Sequence, residues 1–200
     1  MKRSVLVLFF LVVQGGLAKG QPCPPGPPPS RYDGTTLGIL LPGGARQYSF
    51  EYAKIAGFDC FERLRAWYPA YLNSANSVSP HHVIVDMAYA AHGRATFFNV
   101  VVPSRGNYTV TIRYAFAFGG YPGVTDRPEG IKVNGVVISY DMHFPVTYDF
   151  EDYDCSSILV PLNAGKNTIE IFNVSSHGIA RAVTMTVTPP GIATCHDTAP

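Results

Sequence analysis

Gly106-Asn107-Tyr108-Thr109-Val110-Thr111-Ile112-Arg113-Tyr114-Ala115-Phe116-Ala117-Phe118 decides the fold of this chain. Tyr108, Val110, Ile112, Tyr114, Phe116 and Phe118 recur at every second position, with Thr109, Thr111 and Arg113 between them. That is the period of a strand with one buried face, so 106–118 reads as a core strand. Working outward, 131–138 (Ile-Lys-Val-Asn-Gly-Val-Val-Ile) places Asn134-Gly135, the preferred two-residue hairpin turn, between two apolar runs. Stretches 159–162, 168–171 and 182–187 supply further strand patterns downstream, and 83–87 and 95–103 supply two upstream. The segment 46–53 alternates Tyr48, Phe50 and Tyr52 against Gln47, Ser49 and Glu51, which predicts an early strand. Between it and 83–87, residues 58–80 are the least regular part, with the single Trp67 and a short helical turn expected near 61–67.

Three phrases in this order carry a resemblance: Gly-x-Tyr through Arg113-Tyr114-Ala115, Ile-x-Val-Asn-Gly at 131–135, and Leu-x-Ala-Gly-x-Asn-x-Ile at 162–169. Together they resemble the second half of the family 6 and family 35 carbohydrate-binding modules, over roughly residues 48–188. The resemblance implies an all-β, two-sheet jelly-roll β-sandwich of the galactose-binding-like type, with a sugar cleft built by loops at one end. It also implies a structural calcium, to which Glu51 is the matching ligand. Ser49 stands where the family has its first glutamate, and Val183 lies in the final strand where an aspartate is usual. Calcium takes six or more oxygens, so these two departures put the site in doubt.

Lys2-Arg3 followed by an apolar run from Val5 to Val13 and by Ala18-Lys19-Gly20 reads as a signal peptide over 1–20, cut before Gln21. The expected protein is secreted and extracellular, without a membrane anchor, because the apolar run is too short for a retained span. Residues 22–29 hold six prolines and one glycine, which predicts an extended polyproline arm. The expected organisation is an arm with a short strand at 35–41 (21–45 in all), a sandwich at 46–190 and a tail at 191–200. The strand at 35–41 is expected to pair with its own sandwich, and a neighbour's edge is the alternative. Without Lys2, Arg3 and Lys19 the chain carries 12 basic against 14 acidic side chains. Nucleic acid is therefore excluded as a partner, since a phosphate-binding surface needs a basic excess.

Cys23, Cys60, Cys155 and Cys195 are an even set in an oxidising compartment, so two disulfides are expected and three connectivities are open. In a sandwich of the resembled type the termini lie close together, which favours Cys23 with Cys195, and Cys60 with Cys155 between two loops. Asn107-Tyr108-Thr109 and Asn173-Val174-Ser175 are N-glycosylation sequons.

No nucleophile elbow, His-Glu-x-x-His, phosphate loop or dinucleotide fingerprint is present, so the expected function is not catalytic. Six histidines, His143 among them, are scattered among loops without metal-ligand spacing. Asp149, Glu151, Asp152 and Asp154 group four carboxylates in six residues, but Phe150 and Tyr153 between them point to an amphipathic loop. Sugar recognition needs flat aromatic faces beside polar side chains. By the resemblance those fall to Tyr121, Asp126 and Arg127 after the core strand, to Tyr148, Phe150 and Tyr153, and to His177 in the last loop. The expectation is a protein that binds extracellular or cell-wall glycans; the alternative is a structural subunit that self-assembles through its arm and 37–41 strand.

Overall fold

The computed structural model describes residues 34–56, 93–116, 123–148, 152–175 and 180–190, except for the side chains of Glu51 and Ile55. The expected signal peptide, proline-rich arm, irregular segment with Trp67, strand at 83–87 and C-terminal tail lie outside these residues. Among the described residues ten strands form two antiparallel sheets of five. They are β1 (Ile39–Leu40), β2 (Arg46–Ser49), β3 (Lys54–Ala56), β4 (Arg94–Val102), β5 (Gly106–Ala115), β6 (Glu129–Val133), β7 (Val136–Met142), β8 (Asp154–Leu162), β9 (Gly165–Asn173) and β10 (Arg181–Thr188). One sheet runs β1-β2-β10-β5-β8 and the other β3-β4-β9-β6-β7. The architecture is the expected two-sheet jelly-roll β-sandwich.

The core strand sits where its period requires. Tyr108, Val110, Ile112 and Tyr114 of β5 are buried, and Phe116 just beyond it joins them. They face Ile131, Ile169 and Ile171 of the other sheet in one continuous cluster. Tyr114 packs edge-on against Phe144 at 4.9 Å, and Phe50 against Phe97 at 5.1 Å, both geometries that aromatic quadrupoles favour.

The early strand expected over 46–53 is interrupted. β2 ends at Ser49, a 3-10 turn at Phe50–Tyr52 follows, and the chain re-enters the opposite sheet as β3. The reason is the core. Phe50 is fully buried between the sheets, and the turn that places it is closed by the Ala53 N–H donating to the Phe50 carbonyl at 3.1 Å. The strand expected at 35–41 shortens to β1 and pairs antiparallel with β2 of its own sandwich. Leu37, Ile39 and Leu40 stay exposed there.

Two of the sequence phrases meet in space. Asn134 and Gly135 both adopt positive φ (50° and 81°), as the Asn-Gly hairpin between β6 and β7 demands. The buried Asn167 side chain donates to the carbonyls of Asn163 (2.8 Å) and Gly165 (3.2 Å) and accepts from the Asn163 N–H (2.9 Å). Its Oδ1 also accepts from Asn134 Nδ2 at 2.9 Å, while Asn134 Oδ1 accepts from the Thr168 N–H at 2.8 Å. One asparagine thus closes the β8–β9 turn and clasps the β6–β7 turn to it.

Replacing Asn167 by alanine strands several of these groups in a buried site. The expected loss is about 1–3 kcal/mol, read from urea unfolding midpoints. Leu159→Ala, at a position 55% exposed on β8, should stay within about 0.5 kcal/mol of the parent.

Candidate functional site

Strand register brings one set of strand ends together. Tyr114 of β5 lies opposite Asp154 of β8, and Ala115 opposite Arg181 of β10. In the other sheet Glu129 of β6 lies opposite Asn173 of β9 and Met142 of β7, and Arg94 of β4 opposite Phe172. The Ala180 N–H donates to Glu129 Oε1 at 2.9 Å, which joins the two sheets at this end. The other end of β10 lies away from it: Val187 and Thr188 pair with Val110 and Thr109.

Between β5 and β8 the segments 123–128 and 143–148, which flank the β6–β7 hairpin, pair with each other. Asp126 forms an antiparallel bridge with Pro145, the Val146 N–H donates to the Thr125 carbonyl, and the Thr147 N–H donates to the Phe116 carbonyl. Asp126 Oδ1 accepts from the Phe144 N–H at 2.8 Å, and its Oδ2 pairs with His143 Nδ1. His143 Nε2 faces Asp141 Oδ2 at 3.5 Å. The hydrogen bond and charge of Asp126, with Asp141 behind, raise the His143 pKa above its ordinary value. This is an exposed rim of alternating donors and acceptors, suited to hydroxyl groups.

Beneath the rim lies a buried layer of ionisable side chains. Glu129 is buried, and that burial pushes its carboxyl well above the usual range, opposed by the Ala180 N–H and by Arg127. Arg127 is 2% exposed, with its guanidinium 4.0 Å from the centre of the Phe116 ring. Tyr114 donates its hydroxyl to the Pro145 carbonyl at 2.9 Å, and burial raises its pKa.

The expected site residues therefore separate. Asp126 is at the rim, and Tyr148, 88% exposed, follows Thr147 there. Arg127 packs under the rim instead of opening to solvent. Tyr153 stands 4.9 Å from the Arg113 guanidinium, on the outer side of the β5 sheet. Tyr121, Phe150 and His177 lie outside the described residues. Sequence reading missed Glu129, which opens a strand, and passed over His143 as one more loop histidine. The Asp126–His143 and Glu129–Ala180 contacts that set them lie seventeen and fifty-one residues apart in sequence.

For the calcium implied by the resemblance, Ser49 lies opposite Thr184, and the apolar Val183 is buried in the irregular step beside it. These positions offer hydroxyls and no carboxylate, a poor match for a hard cation. The Glu51 side chain lies outside the described residues, and no three His, Cys, Asp or Glu side chains among those described gather to hold a metal. Cys155 is disulfide-bonded, and Cys23, Cys60 and Cys195 all lie outside the described residues.

Comparison with solved structures settles the fold. A family 35 carbohydrate-binding module from Clostridium thermocellum superposes with a TM-score of 0.53 and 23% identity, over 72% of this chain and 96% of that one. The fold is that of a family 35 module. A second such module, from Paenibacillus barcinonensis, gives a TM-score of 0.53 and 21% identity, over 72% of this chain and 98% of that one. No protein-family model and no curated protein matches the chain.

The buried Glu129 makes a pH prediction. Its folded pKa is raised, so the native state holds the proton more tightly than the unfolded chain. That contribution is fully present below the unfolded value of about 4.3 and is lost as pH rises through the folded value. Urea midpoints of Glu129→Gln, which keeps the acceptor for Ala180, should lose this decline relative to the parent across that window.

Proposed function

We propose that the chain is a secreted, non-catalytic glycan-binding module. The observation that carries the reading is the fold, shared with family 35 carbohydrate-binding modules over nearly their whole length. The loop end supplies what such recognition needs: Tyr148 offers an exposed aromatic face, and Asp126, His143 and Asp141 offer polar groups at the rim. Tyr121, Phe150, Tyr153 and His177 belong to the same proposal, as do the Cys60–Cys155 and Cys23–Cys195 pairings. Asn107, exposed at the start of β5, is the better placed of the two glycosylation sequons. The Asn173 amide is engaged in its own turn, donating to the Ser175 carbonyl at 2.7 Å.

Co-sedimentation with insoluble glucans, xylan and chitin tests this. Retention by at least one of them is expected, and Tyr148→Ala should weaken it by about five- to thirtyfold, the 1–2 kcal/mol typical of a tyrosine anchor. Retention by none would remove the glycan-binding reading.

A second reading rests on the exposed apolar edge at Leu37, Ile39 and Leu40. An uncovered apolar edge strand is a template for pairing with another chain, so the protein would be a structural subunit. In that case it would sediment alone, as a concentration-dependent polymer, and Leu40→Lys would abolish the assembly.

A further inference from the structure

Among the described residues the two sheets have four edges, β1 and β8 in one and β3 and β7 in the other. β1 and β3 are only two and three residues long. β7 has seven, but its register against β6 shifts twice, and such bulges spoil an edge for further pairing. β8 differs. It runs nine residues in unbroken register with β5, and from Cys155 to Leu162 it carries no charged side chain.

The residues of β8 show which backbone groups face outward. Proline is tolerated within a strand when its nitrogen points away from the neighbour, so Pro161, opposite Asn107, turns its nitrogen to the open edge. Backbone groups alternate in an antiparallel ladder, so Cys155, Ser157 and Leu159 turn theirs the same way. The Cys155 N–H agrees, since it donates to Asp154 Oδ1 at 2.7 Å in place of a ladder partner. Along the edge, donors are therefore capped at 155, open at 157 and 159, and absent at 161. Ser157 and Leu159 are exposed, Leu159 at 55%. Both faces of the sheet hold this strand in place: Thr111 and Ser157 share a hydroxyl hydrogen bond at 2.8 Å, and the Ser156 hydroxyl donates to the His143 carbonyl.

We infer that β8 pairs antiparallel with β8 of a second copy about a two-fold axis at Ile158, which joins two five-stranded sheets into one of ten. The donor pattern is its own complement about that axis. Ser157 comes opposite the partner's Leu159 and Leu159 opposite the partner's Ser157, and each pair exchanges two N–H to carbonyl bonds. The capped Cys155 meets the partner's Pro161, so neither blocked position faces an open one. Moving the axis to Ser157 or to Leu159 would set blocked against open.

Charge decides the direction. Asp152 and Asp154 are exposed at one end of β8, while Arg105 and Lys166 are exposed at the turns flanking Leu162 at the other. Arg113 stands one strand further in, against Tyr153. Antiparallel pairing sets each acidic end beside the partner's basic end, whereas parallel pairing would set like beside like. A closed two-fold contact uses up the edge, so growth stops at the dimer. The two loop ends then point in opposite directions. On the glycan-binding reading, on which this consequence rests but the pairing does not, the dimer bridges two polysaccharide chains.

Sedimentation velocity of the full chain over a micromolar series tests the pairing. An edge contact of this length buries less than about 1,200 Å², so a monomer–dimer equilibrium is expected in that range, with nothing larger. Leu159→Lys, an edge charge at an exposed position, should raise the dissociation constant about tenfold or more while keeping the parent's urea midpoint. Leu159→Pro, which deletes one open donor and no bond to β5, should weaken the dimer as well. In the parent, exchange of the Ser157 and Leu159 amide hydrogens should slow as concentration rises, while exchange at 37–41 stays constant. With a soluble form of a polysaccharide that retains the chain, the parent should bridge and precipitate it, and Leu159→Lys should bind without bridging. A monomer at every concentration, a dimer that survives Leu159→Lys, or an assembly abolished by Leu40→Lys instead would overturn the pairing. A dimer that no polysaccharide retains would support the pairing and remove the glycan-binding reading.

Discussion

Everything on the surface of this sandwich depends on burying Ile169 and Ile171 of β9. Ile171 lies opposite Ala95 on one side and Ile131 on the other, and all three are fully buried. Because side chains alternate along a strand, that inward row forces Thr96, Glu170 and Lys132 into the next row, facing out. A slip of one residue would turn the isoleucines to water and the glutamate into the core. Hydrophobic burial thus sets the register, and the register composes the charged row. No side chain in that row needs to direct its own placement.

The same logic divides labour between two parts of the molecule. At the loop end, Glu129 opens β6 on the inner side and reaches across to the Ala180 N–H, so the two sheets are joined by a buried polar contact where the connections converge. Arg127 and Tyr114 complete a layer that supports the rim instead of lining it. Asp126 and His143 sit on top of this layer, held by the backbone of Phe144 and by each other. The sheet face is built differently: its polar groups are fixed by cross-strand neighbours on regular strands, which position side chains more rigidly than loops do.

Much of the architecture was legible because the strands of the core obey a strict period of two. The β5 strand, the Asn134-Gly135 turn and the β8–β9 turn with Asn167 were all read from local pattern, and the structure adds only that the two asparagines bond to each other. The break at Phe50 was not legible. Tyr48, Phe50 and Tyr52 alternate as a single strand would, and only the space between the sheets that Phe50 fills reveals the crossing. β3, three residues long, carries too few positions to show a period. The site was less legible than the fold, for a related reason. Arg127 looks like a surface cation in sequence, yet it lies buried against the ring of Phe116. Lys54, Thr96, Glu170 and Lys132 are spread over more than seventy residues, and nothing local marks them as a row until pairing aligns them.

The most direct measurement is a map of backbone amide chemical shifts in the full chain, recorded with a soluble oligosaccharide of whichever polysaccharide retains it. The predicted footprint lies on 125–127 and 145–148 at the loop end. Shifts that leave 125–127 and 145–148 unmoved would contradict the account. So would changes confined to 37–41 that grow with protein concentration when no sugar is present.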